Sequence, residues 1–382
     1  MKDKAAIAGI GETEYSKNSG MSELALFLQA TERAAADAGV SLKDIDGIIV
    51  SKGFGPAVKE LVTNLGLKEL TYTSSIDLGG ASPVASVQTA AMVVTAGLAR
   101  NVLCVTGWNG YSGRRAGRAE TASPVTDTLL RRSFEIPFGW QVPAQWYAVM
   151  CRRHMHEYGT TSQQLGTIAL TVRKHAILNE KALMRKPITM QDYLNSRIIA
   201  DPFRLFDCCL ETDGAAAVLV ASAERARDLK QRPVYISGAA IGYPPLPDQI
   251  INRPTITELG AKSAAPRAFA MAGVSPRDID VAEIYDCFTY ILLCQLEDIG
   301  FCKKGEGGSF VEDGRIELGG ELPVNTHGGL LSQAHVLGMN HVVEAVKQLR
   351  GQAGAAQVRD AELVLVSGFG DPGMSAVMIL RK

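Results

Sequence analysis

The apolar positions of this chain fall into short runs and longer helical stretches, and the same order of runs occurs twice. In the first round a strand is predicted at 5–9, a helix at 22–38, a strand at 47–50, a helix at 83–96 and a strand at 102–106. In the second round the same five elements are predicted at 234–240, 256–272, 281–285, 341–350 and 363–366. The helix at 83–96 carries almost no charge and is apolar nearly all round, which predicts a place in a middle layer. The runs Val102-Leu103-Cys104-Val105 and Leu363-Val364-Leu365-Val366 suit strands covered on both faces.

The two rounds also share letters. Residues 38–46 read Ala-Gly-Val-Ser-Leu-Lys-Asp-Ile-Asp, and residues 272–280 read Ala-Gly-Val-Ser-Pro-Arg-Asp-Ile-Asp. Each copy follows an alanine-rich helical stretch and precedes an apolar run. A second echo links 103–108 with 363–369. Two matches in one order imply a duplicated α/β unit with a pseudo-twofold axis. The predicted halves are 1–225 and 226–382. Between the two rounds, at about 111–207, the composition shifts. That stretch holds Arg114-Arg115, Arg131-Arg132, three of the six histidines and two of the three tryptophans, and reads as an insertion over the first unit.

Composition narrows the class of partner. A net charge of −1 offers no basic surplus, so nucleic acid is not an expected partner. No apolar run reaches membrane-spanning length and the first residues lack a signal-peptide pattern, so a membrane location is not expected. The last residues, Leu380-Arg381-Lys382, are not a peroxisomal address. The seven cysteines are irregularly spaced and none forms a CxxC pair. Reduced thiols in a cytoplasm fit that pattern better than a disulfide frame or a zinc site.

Several segments, taken in order, resemble the thiolase superfamily, closest to its sterol-carrier-protein branch. They are Ala8-Gly9-Ile10-Gly11-Glu12-Thr13, Tyr158-Gly159-Thr160-Thr161, Ile199-Ala200-Asp201-Pro202, Asp207-Cys208-Cys209 and 213–218. The sharpest are Tyr285-Asp286-Cys287-Phe288-Thr289 and the run from Leu322 to Ser332, which contains Asn325-Thr326-His327-Gly328-Gly329. The resemblance covers the whole chain. It implies a five-layered αβαβα thiolase fold of duplicated βαβαβ units with an inserted loop domain. It also implies an acyl-CoA thioester as substrate, with coenzyme A carried on the substrate and no tightly bound cofactor.

The family's chemistry needs a cysteine at a buried helix N-terminus, a histidine with a water-holding asparagine, a second cysteine, and backbone amides as an oxyanion hole. Where the first cysteine belongs, this chain reads Asp77-Leu78-Gly79-Gly80-Ala81-Ser82-Pro83, and no cysteine precedes Cys104. Ser82 is the nearby hydroxyl. Just before Pro83 it reads as an N-cap first and a nucleophile second. Where the second cysteine belongs the chain reads Ser367-Gly368-Phe369-Gly370. Gly79, Gly80 and Gly370 are the resemblance's backbone donors.

Two reactive side chains stand at family positions. His335, six residues after Gly329, matches the active-site histidine. Tyr285 occupies the slot of the oxyanion asparagine, which is often histidine in the sterol-carrier branch. Asp286 is expected to orient a neighbour or cap the next helix. His327 and His341 flank the histidine loop as supporting residues. Cys287 would share a face with Tyr285 if the strand continued. It reads as a core cysteine, and it is the best substitute nucleophile.

Without its cysteines, a thiolase-like site can still stabilise a thioester enolate. That is what retro-aldol cleavage of a 3-hydroxyacyl-CoA requires. Tyr285 resembles the tyrosine of the superfamily's steroid side-chain-cleaving aldolases, which tend to carry a second tyrosine where this chain has His335. The leading expectation is a CoA-dependent aldolase with Tyr285 and His335 as the acid–base pair. The alternatives are an acyltransferase using Cys287 and a noncatalytic acyl-CoA or lipid-binding subunit. The resemblance also implies a homodimer, paired through a sheet edge near 102–108, and a small second protein with an OB-fold and a zinc ribbon. The stretch 114–138 shows no clear periodicity and is expected to order against that partner.

Overall fold

The computed structural model describes residues 1–382 apart from 52–54, 114–128, 248 and 371–372. The first half runs β1 (Ala5–Glu12), α1 (Glu23–Ala38), β2 (Gly47–Ser51), α2 (Val58–Leu65), β3 (Tyr72–Ile76), α3 (Ser82–Thr95) and β4 (Asn101–Asn109). The insertion contributes α4 (Leu129–Phe134), α5 (Pro143–Tyr158), α6 (Ser162–Ile177), α7 (Met190–Asn195) and the small hairpin β5 (Ile198–Ala200) and β6 (Phe203–Arg204). The half closes with β7 (Asp213–Ser222) and α8 (Ala223–Ala226). The second half runs β8 (Val234–Gly242), α9 (Ala261–Ala272), β9 (Val281–Glu283), α10 (Thr289–Ile299), α11 (Gly307–Phe310), α12 (Met339–Arg350), β10 (Leu363–Gly370) and β11 (Met374–Arg381).

The strands lie in the order β3-β2-β4-β7-β1-β8-β11-β10-β9. The two halves repeat one plan. β2 and β4 are parallel, as are β9 and β10, and an antiparallel strand, β7 or β11, joins each pair to β1 or β8. Within the sheet the two halves join where Ala6 and Ile7 of β1 pair with Tyr235 and Val234 of β8. α3 and α12 pack against strands of both halves, and α1 and α9 cover the outer faces. The result is the expected five-layered order, with helices between the two half-sheets. α3 is middle-layer because Val84, Val87, Ala90, Val93 and Val94 leave no polar stripe; they pack with Met339, Val342, Val343 and Val346 of α12.

The sequence repeat has a physical job. Gly39 and Gly273 end α1 and α9 in the left-handed conformation, at φ 70 and 71. The last residue of each copy then takes two amides at the start of a core strand. Asp46 accepts from Arg100 and Asn101 at β4, and Asp280 accepts from Glu362 and Leu363 at β10.

Three expectations change. β4 is not an edge; it lies between β2 and β7, and the edge of that half is β3. Thr73 and Ser75 of β3 are exposed, the polar dress expected of an edge strand. The strand predicted at 281–285 stops at Glu283, so Tyr285 and Cys287 do not share a strand face. Of the stretch 114–138, residues 114–128 lie outside the described residues, while 129–138 form α4 and a 3₁₀ turn at Ile136–Phe138. Among the described residues no helix is long and apolar enough to cross a membrane.

Candidate active site

Tyr285 leaves the end of β9 in irregular backbone that three elements hold. Asn325 pairs with Ile284 as a strand neighbour would: its Oδ1 accepts from Ile284 N at 2.6 Å and its Nδ2 donates to Ile284 O at 2.8 Å. Tyr285 N donates to Ser367 Oγ at 3.2 Å, and Tyr285 O accepts from Gln295 Nε2 at 2.7 Å. The ring is aimed by absent side chains. A Cβ at Gly80 would stand 2.1 Å from Tyr285 Oη, and one at Gly338 would stand 2.8 Å from Cδ2. Gly79 turns the chain at φ 56. A Cβ at Gly370 would stand 1.9 Å from Leu78 O. Gly79, Gly80 and Gly370 therefore gather at the entrance of α3, and the phenol occupies that entrance. The positive end of a buried helix favours negative charge developing there.

His335 reaches the same point from the loop ahead of α12. Its Nε2 lies 3.0 Å from Tyr285 Oη. Its backbone is pinned, since His335 N donates to Thr212 Oγ1 at 2.8 Å and His335 O accepts from Trp108 Nε1 at 2.6 Å and Thr212 Oγ1 at 3.0 Å. The indole also stands edge-on to the imidazole, with ring centres 5.1 Å apart. The residue lies between a π-helical turn, Gly329–Gln333, and α12, which begins four residues further on. Tyr285 is 4% exposed and His335 8%, too little to solvate a charge.

Burial pushes the Tyr285 hydroxyl well above the ordinary phenol value, helped by Cys287, Cys209 and Asp286 nearby. Burial pulls His335 down to about 4; Asp286 works against that and His341 adds to it. Both groups are therefore neutral near pH 7. Tyr285 Oη and His335 Nε2 share one hydrogen bond, and His335 Nδ1 lies 3.9 Å from Cys209 Sγ; the imidazole tautomer sets which side donates. A phenolate base at Tyr285 is not what this environment prepares. Of the two neutral groups, the imidazole can accept a proton and the phenol can donate one.

The remaining candidates take other positions. Asp286 does not cap α10. It reaches across 44 positions to accept from Leu330 N at 2.8 Å and stands 3.3 Å from His341 Nε2. Ser82 is not an N-cap either; the helix begins on it, and its Oγ accepts from Leu78 N at 2.7 Å, tying down the glycine turn. Cys287 is buried, its carbonyl accepts from Cys209 N, and burial pushes its thiol well above the usual range. That is the setting of an inert core thiol. All seven cysteines are free. Glu283, His327 and His341 bring one ligand atom each within 4.8 Å of one another, the one such grouping among the described residues. His341 faces carboxylates through both nitrogens, the setting of an imidazolium and not of a metal ligand. Asn325, Thr212, Trp108 and Gly338 were not singled out from sequence. Only Asn325 carried a signal, its place in the Asn-Thr-His-Gly-Gly run.

Comparison with known proteins fits this arrangement. Residues 247–382 match the family described as Thiolase C-terminal domain-like. The chain is 44% identical to the 17-hydroxy-3-oxo-4-pregnene-20-carboxyl-CoA lyase of Mycobacterium tuberculosis, over 99% of this chain and 100% of that one. It is 42% identical to a steroid side-chain-cleaving aldolase of Thermomonospora curvata, over 98% and 97%. Among solved structures, the Ltp2-ChsH2(DUF35) aldolase superposes with a TM-score of 0.92 at 41% identity, covering 100% of this chain and 98% of that one. Full-length likeness to such relatives, on a duplicated fold, places this chain in the thiolase superfamily, in its sterol-carrier-protein thiolase-like branch.

Proposed function

We propose that this protein is a CoA-dependent retro-aldolase that cleaves the C2–C3 bond of a 3-hydroxyacyl-CoA, with a steroid side-chain thioester as its substrate class. The observation that carries the reading is the neutral Tyr285–His335 pair at the mouth of α3, where the fold would otherwise hold a nucleophilic thiol. His335 Nε2 takes the proton from the 3-hydroxyl. The O–H electrons form the carbonyl, the C2–C3 bond breaks, and its electrons pass into the thioester as an enolate. Tyr285 O–H donates to the enolate, and the α3 entrance favours its charge. A proton returned through the Tyr285–His335 hydrogen bond to C2 completes an acyl-CoA and a free ketone or aldehyde. Atoms balance without a covalent enzyme intermediate and without a cofactor.

The acyltransferase alternative needs a reactive thiol at this site; Cys287 stands just ahead of α10, but burial, Cys209 and Asp286 push its thiol well above the usual range. Two outcomes separate the readings. Cys287→Ser is expected to keep turning over a 3-hydroxyacyl-CoA, and iodoacetamide at neutral pH is expected to leave turnover standing. Loss of activity in step with alkylation of one cysteine would move the assignment to acyl transfer.

A homodimer and a small OB-fold, zinc-ribbon partner belong to the same proposal. Edge strand β3 supports the dimer. The partner reading is supported by an apolar groove of about 520 Å³ on the insertion, lined by Phe134, Phe138, Trp140, Val149, Ala200 and Ile251. Phe134 is 63% exposed and Phe138 83%, large rings that an isolated surface does not favour. Light scattering on the chain co-expressed with a small OB-fold, zinc-ribbon protein is expected to give a heteromer built on a dimer. The double substitution Phe134→Asp with Phe138→Asp is expected to release the partner and keep the dimer. A heteromer unaffected by both charges would place the partner elsewhere.

A further inference from the structure

His341 is fully buried on the first turn of α12, and the proton transfers described above do not use it. Its Nε2 stands 3.3 Å from Asp286 Oδ1 and its Nδ1 3.7 Å from Glu283 Oε2. Those two carboxylates bracket Tyr285 in the chain. Asp286 in turn holds the turn that leads into His335, accepting from Leu330 N at 2.8 Å and Leu331 N at 3.4 Å. Gly329, at φ 56, lies so close that a Cβ on it would stand 2.0 Å from Asp286 Oδ2. One imidazole therefore joins the segment that carries Tyr285 to the turn that carries His335.

We propose that His341 is a positioning residue, a charged strut between Glu283 and Asp286 that sets the distance between the two reacting side chains. Its catalytic consequence rests on the aldolase reading; its structural role does not. The groups facing it are Glu283 at the end of β9, Asp286 and Tyr285 (ring centres 6.2 Å apart), and His327, edge-on at 4.8 Å. His335 lies close enough to feel its charge. On its own helix Glu344 is held by Thr326 and Gln348, and Lys347 pairs with Glu12 of β1. Burial opposes a charge on His341, but Asp286 and Glu283 outweigh it and raise its pKa to about 9. The charge is thus fully present below the ordinary histidine value near 6.5, and it is lost as pH rises through about 9.

Hydrogen–deuterium exchange at 329–335 tests the strut directly, whatever reaction the site performs. In the wild-type protein this segment is expected to be protected at neutral pH, and His341→Gln is expected to speed its exchange by about tenfold or more while α9 stays as protected as before. Steady-state assays should show kcat of the variant lower by on the order of 10²-fold, with KM nearly unchanged, the size expected for a misplacement of about 1 Å. Wild-type kcat should fall above about pH 9, and the variant should lack that limb. If the variant does not fold, the wild type still decides: protection at 329–335 is expected to weaken above about pH 9 while α9 holds. Unchanged exchange at 329–335 in His341→Gln, or wild-type protection that is flat to pH 10, would overturn the strut. A wild type that shows the exchange behaviour but turns over no 3-hydroxyacyl-CoA would support the strut and remove the aldolase reading.

Discussion

Tyr285→Phe is expected to lower kcat by about 10²–10⁴-fold, the range for removing a group that moves a proton in the transition state. The substitution takes away one oxygen. The ring keeps its walls at Gly80 and Gly338, and the backbone keeps its bonds to Ser367 and Gln295. What disappears is the hydrogen-bond partner of His335 Nε2, together with the hydrogen bond to the developing enolate. Binding of the CoA thioester should therefore change little, and the loss should fall on kcat. Folding stability should drop by about 1 kcal/mol, as for one lost hydrogen bond. Steady-state kinetics with a melting curve would check both parts. A variant that keeps more than about half the activity would show that Tyr285 does not handle the proton.

Gly80→Ala is expected to cost activity by a comparable factor, about 10²-fold or more. Its Cβ would stand 2.1 Å from both Oη and Cζ of Tyr285, closer than any packed side chain tolerates. Gly80 has no positive φ, so the backbone can accept alanine and the conflict is with the ring alone. The ring must swing away from His335, breaking the 3.0 Å bond. The signature that separates this from general damage is a double-mutant cycle. In a Tyr285→Phe background the alanine has no pair left to break, so its further effect on kcat should be small. An additive loss would mean that Gly80 serves the site in some other way.

How much of this was legible in the sequence depends on the range of the interaction involved. The duplicated plan was visible because the cores of both units are local: an uncharged helix at α3, and apolar runs at β4 and β10. The copied Asp-Ile-Asp ends were visible as letters, although their role at β4 and β10 needed the fold. β7 and β11 were missed. β7 opens with alanines and a glycine, poor strand formers, and sits between β4 and β1 only because both neighbours pair with it. The edge near 102–108 came from the family resemblance, whereas β2 and β7 flank β4 on both sides. In the site, Tyr285 and His335 were legible through their places in family motifs. Their protonation states were not, because these come from burial that only tertiary packing creates. Of the two roles expected of Asp286, the capping of α10 does not occur, for the same reason. Its partners at Leu330 and His341 are 44 and 55 positions away, while the helix it was expected to cap begins three residues later.

The most direct test of the central claim is cleavage of a 3-hydroxyacyl-CoA in D₂O, followed by mass spectrometry of the products and of the protein. The mechanism drawn from Tyr285 and His335 predicts a free carbonyl compound and an acyl-CoA that carries one deuterium at C2, with no acyl adduct on the protein at any stage of turnover. An acyl group trapped on a cysteine, or thioester exchange that requires added coenzyme A and releases no carbonyl compound, would contradict it.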